Sequence, residues 1–352
     1  MSQTNNFFSS KFDDTSKTID NMRQFTVKIK ALTYIWTGDA NREKTTLRET
    51  GIIGSLRWWY EALIRGFGGY ACDPTSEEEP KRCNLDQKKF KKVISTGKTI
   101  QEALDNQICP ACQLFGCTGW SRRFRLEVSG IDEKDINKGK GPACGLKPNT
   151  TFNLKLFFLF DLSPEQKWLF KKTLWLIENY GVIGGRTTWK PDGKWGTSYG
   201  LIKIEDYGDL NQWENSLSDI HNIRSLLNKN REKINKNKPD WFNFNFYWII
   251  EETYLNRKQL NEIVKRNSSN PKKYLPEAND FDKWLGGKVP SEESASKKIF
   301  SFESPKKVFG YVRNEEELST IFDSIKKVLN KSDVRLKTGK EILEELKLWY
   351  IY

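Results

Sequence analysis

Residues 181 to 200 read GVIGGRTTWKPDGKWGTSYG, and this stretch sets Gly181, Gly184, Gly185, Gly193, Gly196 and Gly200 among the cations Arg186, Lys190 and Lys194 and the rings Trp189, Trp195 and Tyr199. Glycine lets a backbone approach a ligand closely, cations meet phosphates, and aromatic faces stack on bases, a combination suited to single-stranded nucleic acid. An exposed hairpin with solvated charges uses the same residue types. The surroundings have to decide between the two.

A second group of residues has metal chemistry. Cys109, Pro110, Ala111 and Cys112 form a CxxC, and Cys72 and Cys83 lie upstream in the same irregular segment. Four thiolates there suit one tetrahedral structural Zn2+, which would stabilise a segment with no apolar core of its own. Reduced thiols with no common centre are the alternative. Cys117 is the substitute ligand, and Cys144 reads as an isolated thiol. With 6 cysteines and no secretory leader, a disulfide scaffold is not expected.

Catalytic chemistry is poorly provided for. His221 is the single histidine, so a Ser/His/Asp or Cys/His pair has one possible base. No G-x-x-x-x-G-K-[ST] loop occurs. Gly66, Gly68 and Ala71 imitate a dinucleotide fingerprint but follow a helix where a strand is required. Asp39 sits after the first strand, where a carboxylate could orient a ribose hydroxyl, although Asp beside Gly is also a turn pair. The expectation is a protein without a catalytic centre.

The elements that position these groups follow from periodicity. Phe25, Val27, Ile29 and Ala31 alternate as a half-buried strand. From near Thr50 a helix runs to Gly66–Gly69. Ile52, Leu56, Trp59, Leu63 and Phe67 form its buried face, and Arg57, Glu61 and Arg65 lie along another at i, i+4, i+8. Alternation predicts strands over 124–128 and 152–160. Ser163, Pro164 and Gln166 cap a helix that ends at Tyr180, and a strand follows over 199–205. The order strand, helix, strand, strand, helix, strand is the ferredoxin-like order shared with RNA-recognition domains.

The second half repeats it. A strand through Phe242, Phe244, Phe246 and Trp248 leads to a helix over 254–264, strands near 299–302 and 308–312, and a helix over 315–329. A strand at 334–337 and a helix capped by Thr338 complete the set. The expected fold class is α+β, two ferredoxin-like (RRM-like) modules in tandem. Segment 1–24 is a flexible polar lead-in. Module 25–205 carries the Cys-containing insertion 68–119 and the glycine-rich loop 181–200. A helical and basic linker, 206–240, joins it to the second module, 241–352.

The 352 residues carry 58 Lys plus Arg against 46 Asp plus Glu, a net charge of +12. Such a surface attracts polyanions, with nucleic acid the default partner. No leader and no membrane-spanning run is read, so a cytoplasmic protein is expected.

GIIGSLRWWYEALIRG (51–66), CPACQLFGCTGWSRRFRLEV (109–128) and the loop 181–200 together resemble the RAMP superfamily, and within it the first-subunit family of type III-B CRISPR (Cmr) effector complexes. The resemblance covers mainly the first 205 residues. It implies a non-catalytic subunit that holds the 3′ part of CRISPR RNA and helps capture complementary target RNA in antiviral defence, beside other RAMP subunits of a ribonucleoprotein. The family's helix start corresponds to Gly54, Arg57 and Trp58, its basic strand to Arg122, Arg123 and Arg125, and its glycine-rich loop to Gly184, Gly185, Arg186 and Gly200. The inserted TTWKPDGKW departs from the family loop. On this reading Arg57, Arg123, Arg125, Arg186, Lys190 and Lys194 meet phosphates, while Trp189, Trp195 and Tyr199 stack on bases. Trp59 is expected in the core, with Trp58 divided between core and RNA. A structural adaptor for other subunits, and a metal-independent RAMP-type endoribonuclease using Asp39 or His221, are the alternatives.

Overall fold

The computed structural model describes residues 23–38, 46–77, 81–139, 143–188, 198–216, 223, 227, 242–267, 269–270, 273–287 and 297–348. In the first sheet β1 (Arg23–Ala31), β2 (Phe124–Ser129), β5 (Thr151–Phe158) and β6 (Ile202–Asp206) lie in the order β2-β5-β1-β6, all antiparallel. The helices α1 (Glu49–Gly66) and α5 (Pro164–Tyr180) connect them. Numbered within the module, the strand order is 2-3-1-4, the ferredoxin-like arrangement. The insertion between α1 and β2 carries α2 (Gln87–Ser95), α3 (Ile100–Asp105) and α4 (Pro110–Phe115), and a small ribbon of β3 (Ile136–Asn137) and β4 (Gly145–Leu146) precedes β5.

The same order recurs in the second module. β7 (Tyr247–Glu251), α6 (Arg257–Ile263), α7 (Asp280–Gly286), β8 (Ile299–Glu303), β9 (Lys306–Tyr311), α8 (Glu315–Leu329) and β10 (Lys337–Thr338) give a sheet ordered β10-β7-β9-β8, and α9 (Gly339–Leu348) closes the described chain. The fold is therefore α+β with two ferredoxin-like sheets, and its boundaries reflect local chemistry. Ser163 and Gln166 form the reciprocal capping box that starts α5, each satisfying a backbone N–H that has no helical partner. Asn314 caps α8, and Asn330 ends it in a left-handed conformation.

Several boundaries correct the sequence reading: the strand expected over 199–205 is Ile202–Asp206, that over 152–160 is Thr151–Phe158, and the helix over 254–264 is Arg257–Ile263. The run through Phe242, Phe244 and Phe246 is not strand: Phe244–Phe246 is a 3-10 turn capped by the Asn243 side chain, and pairing begins at Tyr247. Phe242 and Phe244 point into the rings of α1 instead. The last strand is displaced from 334–337 to Lys337–Thr338. Of the proposed linker, Gly208–Ser216 is a 3-10 segment whose Leu210 and Trp213 enter the core. The basic run from Lys229 to Lys238, and segment 1–22, lie outside the described residues.

One hydrophobic cluster spans both modules. Trp59, Tyr60 and Leu63 of α1 join Trp168 and Leu176 of α5, Tyr247 and Phe309 of the second sheet, and Leu343 of α9. Each such side chain contributes roughly 2 to 3 kcal/mol by leaving water. The Tyr247 hydroxyl donates to the Tyr180 carbonyl (2.6 Å) and the Arg65 guanidinium to the Phe242 carbonyl (3.1 Å), both buried links between the modules. Among the described residues, no helix is long and apolar enough to cross a membrane.

Candidate nucleic-acid interface and metal centre

The glycine-rich segment leans on two elements of the first module. The Gly184 N–H donates to the Ser55 hydroxyl (2.9 Å), one residue beyond Gly54 on α1, and that hydroxyl in turn donates to the Gly51 carbonyl (3.0 Å). The Gly185 N–H donates to the carbonyl of Trp36, which follows β1 (2.7 Å). At Gly184, with φ +76°, a side chain would meet the Trp36 carbonyl at 2.6 Å, and at Gly185 a Cβ would stand 2.7 Å from the Trp36 ring. Only glycine permits this approach.

Beyond the glycines, Arg186 takes a left-handed backbone (φ 60°), uncommon for a residue with a side chain. Its guanidinium lies 4.6 Å from the Trp36 ring centroid and donates to the Cys144 sulfur at 3.1 Å. Arg186 is half-buried, so one cation is held on an aromatic face at the mouth of the segment. Gly54, which precedes Ser55 on α1, is exposed, and nothing lies within 4 Å of where its Cβ would be. The helix surface there is open to a ligand backbone. Trp36 and Ser55 are the residues the sequence reading missed. Trp36 follows the first strand with no periodic signal of its own, and Ser55 is hidden because its partner is 129 residues away in sequence.

Several predicted contacts are placed elsewhere. Tyr199 is fully buried, its hydroxyl accepts from the Cys144 N–H (3.3 Å), and its ring faces Tyr34. No base can stack on it. Trp58 is stacked on Phe242 at 4.4 Å and meets Trp59 edge-on at 4.9 Å, so it joins the two modules. Arg123 is buried against Trp120 (5.6 Å), and burial lowers its pKa despite Asp105. Arg122 is half-buried and donates to the Phe124 carbonyl at 2.7 Å. Arg125 is exposed on β2 and paired with Glu127 at 2.6 Å. Gly200, also at positive φ, sits under the Ile183 carbonyl. Trp189, Lys190, Lys194, Trp195, Asp39 and His221 lie outside the described residues.

Arg57 is corrected most clearly. Its Nε donates to Glu61 at 2.7 Å, its Nη1 to the Gly116 carbonyl at 2.8 Å, and its Nη2 to the sulfur of Cys112 at 3.2 Å. All edges of the fork are directed into the protein, away from any phosphate. Glu61 also faces Arg65 at 3.6 Å, and Arg65 donates to the carbonyls of Ala71 and Cys72. The i, i+4, i+8 line read from the sequence is thus a buried ladder that fastens the insertion to α1. Burial pushes the Glu61 carboxyl up to about 7, with Arg65 and Arg57 restraining the shift. Burial also works against the Arg57 charge, but Glu61 and the nearby sulfurs outweigh it and the net shift is upward.

Arg57 ends on the cysteine cluster. The sulfurs of Cys72, Cys83, Cys109 and Cys112 lie within 4.8 Å of one another, and all four residues are buried. Those of Cys72 and Cys112 are 3.4 Å apart, against about 3.8 Å expected for two ligands of a tetrahedral zinc with bonds of about 2.3 Å. Backbone N–H groups of Cys72 and Cys112 point at the Cys109 sulfur, and that of Cys109 at the Cys83 sulfur. Thiolate charge is met by N–H dipoles and by Arg57, the environment a bound cation's ligands require. These four side chains could hold a metal ion. Cys117 is only half-buried, and Cys144 lies apart beside Tyr199.

Residues 28–189 match the family model of the RAMP superfamily. The matched segment carries most of the first ferredoxin-like module. No curated protein matches the chain in sequence. Among solved structures, Cmr1 from Pyrococcus furiosus in its apo form is 14% identical, with 90% of this chain and 99% of that chain covered and a TM-score of 0.43. A chain of the type III-B Cmr-beta complex bound to cognate target RNA is 12% identical, with 88% and 99% covered and a TM-score of 0.43. A chain of a type IV-B CRISPR complex is 15% identical, with 52% and 89% covered and a TM-score of 0.30.

Proposed function

We propose that this protein is a non-catalytic RNA-binding subunit of a type III-B CRISPR ribonucleoprotein, holding the 3′ part of the CRISPR RNA and helping to capture complementary target RNA. The observation that carries the reading is Arg186 held over Trp36 just beyond Gly184, which hydrogen-bonds Ser55 next to the exposed Gly54 of α1. A guide has to be held whatever its sequence, so recognition runs through the backbone: a cation for phosphate, a close-approach surface for sugar, and a net charge of +12 to draw the strand in. The superfamily match over the same residues supports it.

The cysteine cluster serves this role indirectly. Zinc fits it by donor type, number and burial, and would stabilise the insertion against α1, the helix that also presents Gly54 and Ser55. The protein works in the cytoplasm beside other RAMP subunits. The test is a nuclease footprint of the CRISPR RNA in the ribonucleoprotein assembled with and without this subunit. Protection of the 3′ part that depends on the subunit is the expected result. An unchanged 3′ footprint would favour a protein adaptor, and new RNA cuts abolished by Asp39→Ala or His221→Ala a nuclease.

A further inference from the structure

One face of the first sheet is buried, and among the described residues the side chains of its other face are exposed or half-buried. Along β1 the residues Val27, Ile29 and Ala31 are buried while Gln24, Thr26 and Lys28 are exposed and Lys30 is half-buried. The register aligns four rows on the open side. Arg125, Phe157 and Gln24 form the first, Glu127, Lys155 and Thr26 the second, Ser129, Asn153 and Lys28 the third, and Thr151, Lys30 and Lys203 the fourth. The rows cover about 20 Å along the strands and about 14 Å across four of them.

Three features of this face point to a polyanion. Lys30 and Lys203 are direct cross-strand partners; like charges opposite each other disfavour pairing, and a phosphate between them would relieve the repulsion. Among the described residues no carboxylate lies within ion-pairing distance of Lys30, Lys155 or Lys203, whereas Lys28 is close to Glu205 (3.6 Å) and Arg125 is paired with Glu127. Phe157 is half-buried and is not among the rings packed on the core. It therefore stands on a polar face as a platform between Arg125 and Gln24.

We propose that this open sheet face is a second binding surface for single-stranded RNA, with Phe157 stacking a base and Lys155, Lys30 and Lys203 holding the phosphates that follow. The proposal rests on the RNA-binding reading above and adds a path distinct from the glycine segment. RNA-recognition domains stack two or three bases on aromatic side chains of a four-stranded sheet. A protein partner fits the face less well, because it lacks the apolar centre that protein interfaces desolvate.

The experiment measures anisotropy of unstructured uridine-rich RNA on the full chain as wild type, Phe157→Ala, Lys203→Glu, Lys155→Glu/Lys203→Glu and Arg186→Ala, with thermal melts to confirm folding. 4-Thiouridine crosslinks are mapped in parallel. The expected result is about tenfold weaker binding for Phe157→Ala and for the double lysine variant, with crosslinks on the Phe157 peptide. Binding by these folded variants equal to wild type, while Arg186→Ala is impaired, would overturn the second surface and leave the first reading standing. Absence of binding by the wild type would overturn both. If the double variant does not fold, Lys203→Glu, at an exposed position, and Phe157→Ala decide the question.

Discussion

The Arg57 guanidinium and the Cys112 sulfur are 3.2 Å apart, and through this contact the helix that presents Gly54 to solvent is fastened to the four-cysteine cluster. The arrangement predicts one zinc ion per chain by elemental analysis. Cys112→Ser should lose the metal and at least about 4 kcal/mol of stability, because both a ligand set and a buried anchor disappear. Arg57→Ala should keep the metal at rest but release it to a chelator about ten times more readily, the usual cost of removing an outer partner of a metal ligand. Chelator competition followed by absorbance of a zinc dye separates the two variants.

Gly184 tests the cradle itself. Alanine there combines positive φ with a Cβ 2.6 Å from the Trp36 carbonyl, so Gly184→Ala should cost about 1 to 3 kcal/mol and displace Arg186 from Trp36. Tryptophan fluorescence on urea unfolding reports the first effect. A weakened RNA complex reports the second.

Trp58 should behave as a structural residue. Its stacking on Phe242 at 4.4 Å bridges the modules, and Trp58→Ala should destabilise the protein by about 3 kcal/mol. Trp58→Phe, which keeps a ring, should restore most of that loss and leave the RNA affinity of the folded protein at the wild-type value. A large loss of affinity in folded Trp58→Phe would return this residue to the interface.

The fold was legible because its signals are local. Alternation in β1 and β5, the capping box at Ser163 and Gln166, and the Asn314 cap each act within one element. The phenylalanine run at 242–246 misled because alternation cannot distinguish a strand from a turn whose rings pack on a distant helix. For the site, residue type marked Arg57, Arg123 and Tyr199 as ligand-facing, but burial among Glu61, Trp120 and Cys144 is set by tertiary neighbours that spacing does not encode. The Cys72, Cys83, Cys109 and Cys112 set was readable, since the CxxC brackets one turn and the other two share its segment. Trp36 escaped notice because an aromatic in a loop is informative only once its cation is seen above it.

Stability should depend on pH with a definite sign. Burial lowers Lys307 to about 8, with Glu251 opposing, and lowers Lys298 to about 8 as well. In the unfolded chain both hold their protons to about 10.4. Between about pH 8 and 10 the unfolded state therefore binds more protons, and stability rises with pH. Above about pH 10 the trend reverses, because burial keeps Tyr60 and Tyr311 protonated in the fold while unfolded tyrosines ionise. Urea midpoints across this range should pass through a maximum, and a monotonic fall from pH 8 would contradict the assignment.

In the proposed function RNA is held by its backbone, and Arg186 on Trp36 is one fixed phosphate contact. Its most direct test is fluorescence anisotropy with unstructured single-stranded RNA and matched DNA across a salt series, for wild type and Arg186→Ala, with RNA integrity checked in the same samples. The expected result is intact RNA, affinity that falls linearly with salt on logarithmic axes, and a slope smaller by about 0.7 in the variant, together with a loss of about 1 to 3 kcal/mol (about 5- to 150-fold). Salt-independent binding, or an Arg186→Ala curve that overlays wild type, would contradict it.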